Sequence, residues 1–300
     1  MRIVVAGGSG FVGEPLVRRL IARGDDIAVL SRNPSRVRAG RGVQWDGKSA
    51  GRWTGEIDAA DAVVNLAGEN IAEGRWTEER KRRLVASRLD ATNAIVTALK
   101  QAPRGNRTLI NASAIGFYGS DRDVELDEAS TKGRGFLADL VEKWENAANA
   151  AQPLARVVML RFGVVLAADG GALPKMLMPF RFGAGGPVGN GRQWMSWVDR
   201  DDLLGAIQWA LDHENVRGVY NVTAPAPVRN RDFAKMAGRV LHRPSIMPAP
   251  ALALRLLFGE EMADAILLGG QRVMPRRLQS EGFRFGDGEL EPALRKIARH

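Results

Sequence analysis

Short apolar runs alternate along this chain with longer segments in which apolar residues recur every three or four positions. The short runs predict buried strands over 2–6, 26–30, 43–45, 61–68, 107–113 and 155–162. The longer segments predict helices over 14–23, 76–99 and 135–151. This alternation predicts a doubly wound α/β fold, with a parallel sheet and right-handed crossovers. Ligands of such sheets bind beyond the carboxyl ends of the strands.

A glycine-rich turn joins the first predicted strand to the first predicted helix. It consists of Gly7, Gly8, Ser9, Gly10, Phe11, Val12 and Gly13. Gly7 or Gly8 allows the tight turn, Gly10 lets the backbone approach a pyrophosphate, and Gly13 lets the helix pack against the strand. The helix N-terminus adds free N–H groups and a partial positive charge. The context predicts a dinucleotide site, and the alternative is a structural turn without a ligand.

The end of the second predicted strand indicates which dinucleotide is bound. NAD-binding versions of this turn place an acidic residue there, on the ribose 2′-OH. This chain has Ser31, Arg32 and Asn33 instead, with further arginines at Arg36 and Arg38. A guanidinium holds a phosphate through two parallel hydrogen bonds. We therefore expect NADP(H) rather than NAD, with Ser31 and Arg32 at the 2′-phosphate; the alternative is that Arg32 is a solvated loop residue.

After residue 162 the amino-acid composition and the pattern of apolar residues change. Residues 169–191 are rich in Gly, Pro and Met, which predicts an irregular lobe or lid. Strand-like order returns at 195–199, and a helix over 201–212 and a strand over 218–222 are predicted after it. From Thr223 we expect a tail with a helix at 232–241, short helices between 249 and 268, and a small β element at 283–285. The predicted nucleotide domain is 1–162 with 196–222, and the predicted small substrate lobe is 163–195 with 223–300.

The amino-acid composition excludes several kinds of site and argues against several partners. The sequence has no cysteine, which excludes disulfides, thiolate zinc sites and a cysteine nucleophile, and its histidines (His213, His242 and His300) are too scattered to predict a metal site. A net charge of +9 raises the question of nucleic acid, but most basic residues are arginines spread along the chain, so we do not expect that partner. No apolar run is long enough to span a bilayer. The first strand starts at residue 2, which argues against a signal peptide, so we expect a cytoplasmic protein.

Four motifs carry a resemblance to a known superfamily. They are the glycine turn at 7–13, Asn65-Leu66-Ala67-Gly68, Asn111-Ala112-Ser113, and Trp197-Val198-Asp199 followed by Asp202-Leu203. With them the chain resembles the extended short-chain dehydrogenase/reductases over nearly its whole length. The resemblance implies a Rossmann-type domain in which Asn65, Leu66, Ala67, Gly68, Asn111 and Ala112 line the cofactor. A purely structural turn at 65–68 is the alternative.

A narrower resemblance is to atypical "epimerase family" proteins with a C-terminal domain of unknown function. Its marks are Gly68-Glu69-Asn70-Ile71, Arg75-Trp76-Thr77, Ser87-Arg88, the segment 113–119, and Gly270-Gln271-Arg272-Val273 followed by Pro275. Some members are labelled cell-division inhibitors. The two long helices predicted at 76–99 and 135–151 are candidates for a homodimer face, as in relatives. The resemblance supplies no substrate.

The catalytic pair of the superfamily is missing. Its enzymes exchange a proton through a Tyr-x-x-x-Lys pair, aided by a serine that Ser113 matches. In this chain the corresponding helix has Phe136 and Leu140, which cannot transfer a proton. Tyr118 lies five residues past Ser113, and Arg122 is placed to lower its pKa, so Tyr118 is a candidate acid. The alternative is an aromatic residue packed beside Phe117.

Four further residues are candidates for the substrate. Glu69 and Asn70 follow the predicted cofactor loop, where they either contact substrate or cap the next segment. Arg161 ends a strand above the cleft and either binds substrate or pairs with a carboxylate such as Asp199 or Asp202; we favour the pair. Trp194, in the predicted substrate lobe, is a candidate contact for the substrate.

These observations predict an atypical NADP(H)-dependent oxidoreductase or epimerase. Its ligand is a small polar molecule, with a sugar nucleotide as one candidate. Ser113 would orient the reacting oxygen, and Tyr118 or water would supply the proton. The rival is a catalytically silent regulatory module gated by NADP(H), for which the resemblance offers a link to cell division.

Overall fold

The computed structural model describes residues 1–102, 105 and 107–298. Its strands are β1 (Arg2–Ala6), β2 (Asp26–Ser31), β3 (Arg41–Gln44), β4 (Ala62–Asn65), β5 (Arg107–Ala114), β6 (Glu125–Leu126), β7 (Ala155–Phe162), β8 (Val164–Ala167), β9 (Gly170–Gly171), β10 (Trp194–Met195), β11 (Trp197–Asp199), β12 (Gly218–Val222), β13 (Val228–Arg229) and β14 (Arg272–Val273). Its α-helices are α1 (Gly13–Ala22), α2 (Thr54–Ala59), α3 (Glu78–Gln101), α4 (Phe136–Asn149), α5 (Leu173–Arg181), α6 (Arg200–Asp212), α7 (Asn230–Leu241), α8 (Ala251–Phe258), α9 (Glu260–Met262), α10 (Arg276–Ser280) and α11 (Leu290–Ala298). A π-helical turn follows α9 at Ala263–Leu268, and 3₁₀ turns lie at Pro34–Arg36 and Ile115–Tyr118. His300, one of the histidines considered above, lies outside the described residues.

The central sheet is parallel throughout, with the strand order β12-β7-β5-β4-β1-β2-β3 among the described residues. From β1 the chain moves outward to β2 and β3, then crosses to β4 and fills the other side. The boundary between β1 and β4 is therefore the topological switch point, where a doubly wound sheet opens its binding crevice. The predicted fold class is confirmed.

Helices cover both faces of the sheet. Helices α1 and α6 pack on one face through residues such as Leu16, Leu20 and Leu203. Helices α2, α3 and α4 pack on the other through residues such as Ile57 and Ile95. Burial on both faces explains why the strands read as continuous apolar runs rather than as alternating patterns.

A third apolar core lies beside the sheet. It joins α5, α7 and α11 to the strands β8, β10 and β11, with Trp197, Phe180, Phe233 and Leu294 among its buried members. Its residues come largely from the two segments predicted as the substrate lobe. The domain boundaries themselves stay a prediction.

Two predicted details of this lobe are wrong. The segment 169–191 contains the helix α5, because Leu173, Leu177 and Phe180 fall at helical spacing and are buried together. No strand forms at 283–285; Phe283 and Phe285 pack edge to face at 4.9 Å instead. The β pairing of the tail is made by β13, which runs antiparallel to β10, and by β14, which runs parallel to β6.

Candidate functional site

The glycine turn closes tightly between β1 and α1. Gly7 has a φ of +77°, and a Cβ there would lie 2.8 Å from the carbonyl carbon and oxygen of Leu66. A Cβ on Gly13 would lie 2.1 Å from the carbonyl oxygen of Gly7. The N–H of Gly10 donates to that same oxygen at 3.0 Å. The tight turn thus falls to Gly7, and Gly13 lets the helix approach the strand.

The start of α1 has backbone donors without an acceptor among the described residues. Val12 precedes the helix without a side-chain cap, and Ser9 and Gly10 are exposed. No carbonyl within the described ranges accepts from the N–H groups of Phe11 and Val12. Unpartnered N–H groups at a helix start suit a phosphate. The Phe11 ring lies under the guanidinium of Arg200, 5.1 Å from the ring centroid.

The end of β2 carries positive charge for which the described residues provide no counter-charge. Ser31 Oγ accepts from the backbone N–H of Asn33 at 3.1 Å, which shapes the turn. Arg32, Arg36 and Arg38 are exposed, and in the part of the chain that the structure describes none of their guanidinium groups has a hydrogen-bond or ion-pair partner. A site for the 2′-phosphate requires such unpaired guanidinium groups.

Asn65 and Asn111 fix the ends of β4 and β5. Both are fully buried, and Asn65 Nδ2 donates to Asn111 Oδ1 at 2.7 Å and to Thr92 Oγ1 at 3.0 Å. Asn65 Oδ1 accepts from the Ala67 N–H at 3.2 Å, and Asn111 Nδ2 donates to the Ala112 carbonyl at 2.7 Å. These side chains orient the loop 65–68, so only its backbone and the side chains of Leu66 and Ala67 are left to meet a ligand.

A buried polar chain runs between the carboxyl ends of β5 and β7. Ser113 Oγ donates to Glu145 Oε1 at 2.5 Å. Arg161 donates to both oxygens of Glu145 at 2.7 Å, and its Nη1 donates to the Tyr118 hydroxyl oxygen at 2.9 Å. Tyr118 in turn donates to Asn221 Oδ1 at 2.8 Å. We call these five residues the Glu145 network; it links the predicted serine to the predicted arginine and tyrosine.

Arg161 is a structural partner in this network. The predicted ion pair exists, but its acid is Glu145 and not Asp199 or Asp202. Asp199 caps α6 by accepting from the Asp201 N–H, and Asp202 accepts from backbone N–H groups of the tail. An arginine this deeply buried needs such a bidentate partner.

Sequence reasoning missed Glu145. A signal was present, since Glu145 shares one face of α4 with Val141, Trp144 and Ala148, all of them buried.

Tyr118 is not placed for proton exchange with a ligand. Its side chain is fully buried, and its hydroxyl is engaged by Arg161 and Asn221. Burial raises the pKa of Tyr118 to about 12, against the lowering effect of Arg161. The expectation that Arg122 lowers this pKa is wrong, because Arg122 donates to the backbone carbonyl of Tyr118. The ring packs edge to face on Phe117 at 5.4 Å, which supports the packed-aromatic alternative.

The other substrate candidates make protein contacts. Asn70 Oδ1 accepts from the Ala72 N–H at 2.9 Å and so caps the next turn. The Glu69 carboxylate pairs with Arg80 and Arg83.

Trp194 is likewise held by protein groups. Its Nε1 donates to Asp123 at 2.6 Å, and its ring centroid lies 3.9 Å from the Arg229 guanidinium and 5.1 Å from that of Arg272. With two guanidinium groups near its ring and its N–H donated to Asp123, Trp194 joins the segments that carry Asp123, Arg229 and Arg272.

The sheet, the glycine turn and the loop 65–68 match a known family. A model of the NAD dependent epimerase/dehydratase family matches residues 3–223. The chain belongs to this family. A second model, of a domain of unknown function (DUF1731), matches residues 249–297. Both parts of the predicted resemblance are confirmed.

Named relatives of this epimerase/dehydratase chain cover it almost completely. The epimerase family protein SDR39U1 of Bos taurus is 38% identical over 99% of both chains. The Arabidopsis thaliana homologue, described as chloroplastic, is 39% identical over 99% of this chain and 86% of its own. That description leaves the predicted cytoplasmic location unconfirmed.

Solved structures agree with the family assignment. The human protein SDR39U1 (isoform 2), crystallised with NADPH, superposes with a TM-score of 0.90 at 37% identity, covering 100% of this chain and 99% of its own. A nucleoside-diphosphate sugar epimerase from Corynebacterium glutamicum gives a TM-score of 0.79 at 29% identity, covering 99% of this chain and 58% of its own. Among the helices that the structure describes, none combines the length with the apolar character that a membrane span requires.

Proposed function

We propose that the protein binds NADP(H) across the switch point between β1 and β4. Two observations carry the proposal together: among the described residues, the N–H groups of Phe11 and Val12 have no acceptor, and the guanidinium of Arg32 has no counter-charge. The pyrophosphate would lie on the glycine turn, and the 2′-phosphate would lie between Ser31 and Arg32. The NADPH in the human relative supports the same choice of cofactor.

We further propose that the bound cofactor serves an oxidoreductase or epimerase reaction on a small polar ligand. NADP(H) supplies hydride exchange at its nicotinamide ring. Ser113 is the polar side chain of the β5 end that matches the family's substrate-orienting serine. Its proton is directed at Glu145, so its free lone pairs are left to accept a hydrogen bond from a ligand hydroxyl. Because the Tyr118 hydroxyl is committed to Arg161 and Asn221, water is the proton carrier in this proposal.

A turnover assay tests the reaction. The protein is incubated with NADPH or NADP⁺ and a panel of sugar nucleotides and small hydroxy or carbonyl compounds, and the absorbance of the reduced nicotinamide is followed. We expect slow turnover with at least one compound, reduced in Ser113→Ala and retained in Ser280→Ala, a change at an exposed position of α10.

The second candidate is a regulatory module gated by NADP(H). It is favoured by the buried, fully bonded Tyr118 and by Leu140, which is buried at the position where a catalytic lysine would lie. Tight NADPH binding without turnover of any compound, together with a protein that co-purifies, would support the module over the enzyme.

A further inference from the structure

Large apolar side chains are exposed together on the predicted substrate lobe. Of the ten that are exposed among the described residues, three (Met1, Ile21 and Val124) are scattered, whereas seven come from two short stretches of the chain. Those seven, which we call the apolar face, are Met178, Phe182, Ile246, Met247, Leu252, Leu256 and Leu257. Single exposed apolar residues need no explanation, but a group of this size marks a surface that binds a partner.

The two stretches that supply the apolar face lie side by side. The Met247 N–H donates to the Gly185 carbonyl at 3.0 Å, and the Ala249 N–H donates to the Pro187 carbonyl at 2.9 Å. Gly186 permits this approach, since a Cβ there would lie 2.0 Å from the Met247 carbonyl oxygen. The chain that leaves α5 thus runs against the chain that enters α8, and the seven side chains belong to one continuous region.

Helix α8 is apolar at seven of its eight positions, yet none of its side chains is buried. Polar contacts hold the helix instead. Arg75 donates to the carbonyls of Leu256 and Leu257 at the end of α8, and Arg255 pairs with Asp264 at 2.9 Å. A helix that is apolar all round is normally covered by protein or lipid. The apolar side chains of α8 therefore lack a cover among the described residues.

Cations accompany the apolar face, and acids are absent from it. The stretches 170–190 and 241–258 contain no Asp or Glu, and their Lys and Arg residues are Lys175, Arg181, Arg243 and Arg255. Arg255 is paired with Asp264, whereas the other three are exposed and have no acidic partner among the described residues. Acids return at 260 and 261, beyond the turn at Gly259. Exposed apolar side chains with unpaired cations suit a partner that is both apolar and anionic.

We propose that the apolar face binds the surface of a membrane that contains anionic lipids. Phe182 and Ile246 are its most exposed side chains, at 82% and 81%, and they would enter the boundary between the headgroups and the acyl chains. Lys175, Arg181 and Arg243 would lie at the headgroup phosphates, which attract cations near the surface. A contact of this kind needs no membrane-spanning helix.

Charge favours a lipid surface over a second copy of the chain. A two-fold dimer through the apolar face would place the unpaired cations of both copies at one interface, with no acid in either stretch to meet them. A membrane with anionic lipids supplies negative charge above an apolar layer, which matches both properties of the face. The contact involves neither the cofactor nor the reaction, so it is independent of the proposed function.

Vesicle sedimentation tests this contact. The full chain is mixed with vesicles of phosphatidylcholine alone, or of equal parts phosphatidylcholine and phosphatidylglycerol, and the bound fraction is measured at low and at high salt. We expect binding to the anionic vesicles only, and weaker binding at high salt because salt screens the cations. Phe182→Ser combined with Leu256→Ser should weaken binding at least about ten-fold, since burial of one such side chain is worth that factor.

Two further variants separate charge from general surface effects. Arg181→Gln combined with Arg243→Gln should weaken binding to the anionic vesicles and reduce its dependence on salt. Val124→Ser, at an exposed apolar position outside the face, should bind as the wild type does. All of these positions are exposed, so the variants should unfold in urea at nearly the same concentration as the wild type.

Several outcomes would overturn the proposal. They are no sedimentation of the wild type with anionic vesicles, equal binding to neutral and anionic vesicles, or an equal loss in Val124→Ser. A wild-type dimer in sedimentation velocity that the double serine variant converts to a monomer would assign the face to a second copy instead. Should the double serine variant fail to fold, Arg181→Gln with Arg243→Gln decides, because unchanged binding in that variant would also refute the contact.

Discussion

At the scale of single residues, the two tyrosines of the chain show how far burial changes chemistry. Burial raises the pKa of Tyr118 to about 12, and burial together with a hydrogen bond to Glu281 does the same for Tyr220. The sequence located Tyr118 beside Ser113, yet it could not reveal that Arg161 and Asn221 saturate the hydroxyl. Those partners are distant in the chain and meet Tyr118 only through the pairing of β7 with β5 and β12.

An alkaline titration tests this assignment. A free phenol has a pKa near 10, whereas the raised pKa values of both folded tyrosines are about 12, so both should be half ionised only near pH 12. Because the folded pKa values are raised, the stabilisation is complete below pH of about 10 and is lost as the pH rises toward 12. Tyrosinate absorbance should therefore appear with a midpoint near 12 in the native protein and near 10 in denaturant. If the native protein instead showed a tyrosinate midpoint near pH 10 that was absent in Tyr118→Phe, the phenol of Tyr118 would be free. Tyr118 would then again be a candidate for the catalytic acid.

At the scale of elements, hydrophobic periodicity predicted the strands of the sheet and the helices α1, α3, α4 and α6. Hydrophobic periodicity did not predict α5. Its two prolines and the neighbouring glycines are typical of irregular segments, although its buried apolar residues recur at helical spacing. It also failed at Glu145, since a charge on a helix is read as solvent-facing unless its position on the apolar face is weighed. The charge of the buried Glu145 carboxylate is balanced by Arg161, which lies on β7.

Removing Glu145 should destabilise α4 and the strand ends together. In Glu145→Ala the guanidinium of Arg161 stays buried without its acid, and the loss of one partner of a buried pair costs about 3–5 kcal/mol. Glu142→Ala on the same helix, which breaks only an exposed contact with Lys132, should cost less than about 1 kcal/mol. Urea unfolding of the two variants gives the comparison, and equal costs would refute a structural role for the network.

At the scale of the whole molecule, sequence alone gave the fold class, the cofactor turn and the family, because these depend on local patterns. The buried Glu145 network depends on which strands become neighbours, and no spacing along the chain encodes that order. The central claim is that the glycine turn at the end of β1 and the guanidinium of Arg32 at the end of the neighbouring β2, unpaired among the described residues, together select a 2′-phosphorylated dinucleotide.

Calorimetric titration with NADPH and NADH tests that claim most directly, on the wild type, Arg32→Ala and Arg217→Ala, the last an exposed arginine at the amino end of β12. We predict that the wild type and Arg217→Ala prefer NADPH at least about ten-fold, the value of one charge-assisted contact, and that Arg32→Ala loses most of the preference. Equal affinity of the wild type for both dinucleotides, or an unchanged preference in Arg32→Ala, would contradict it.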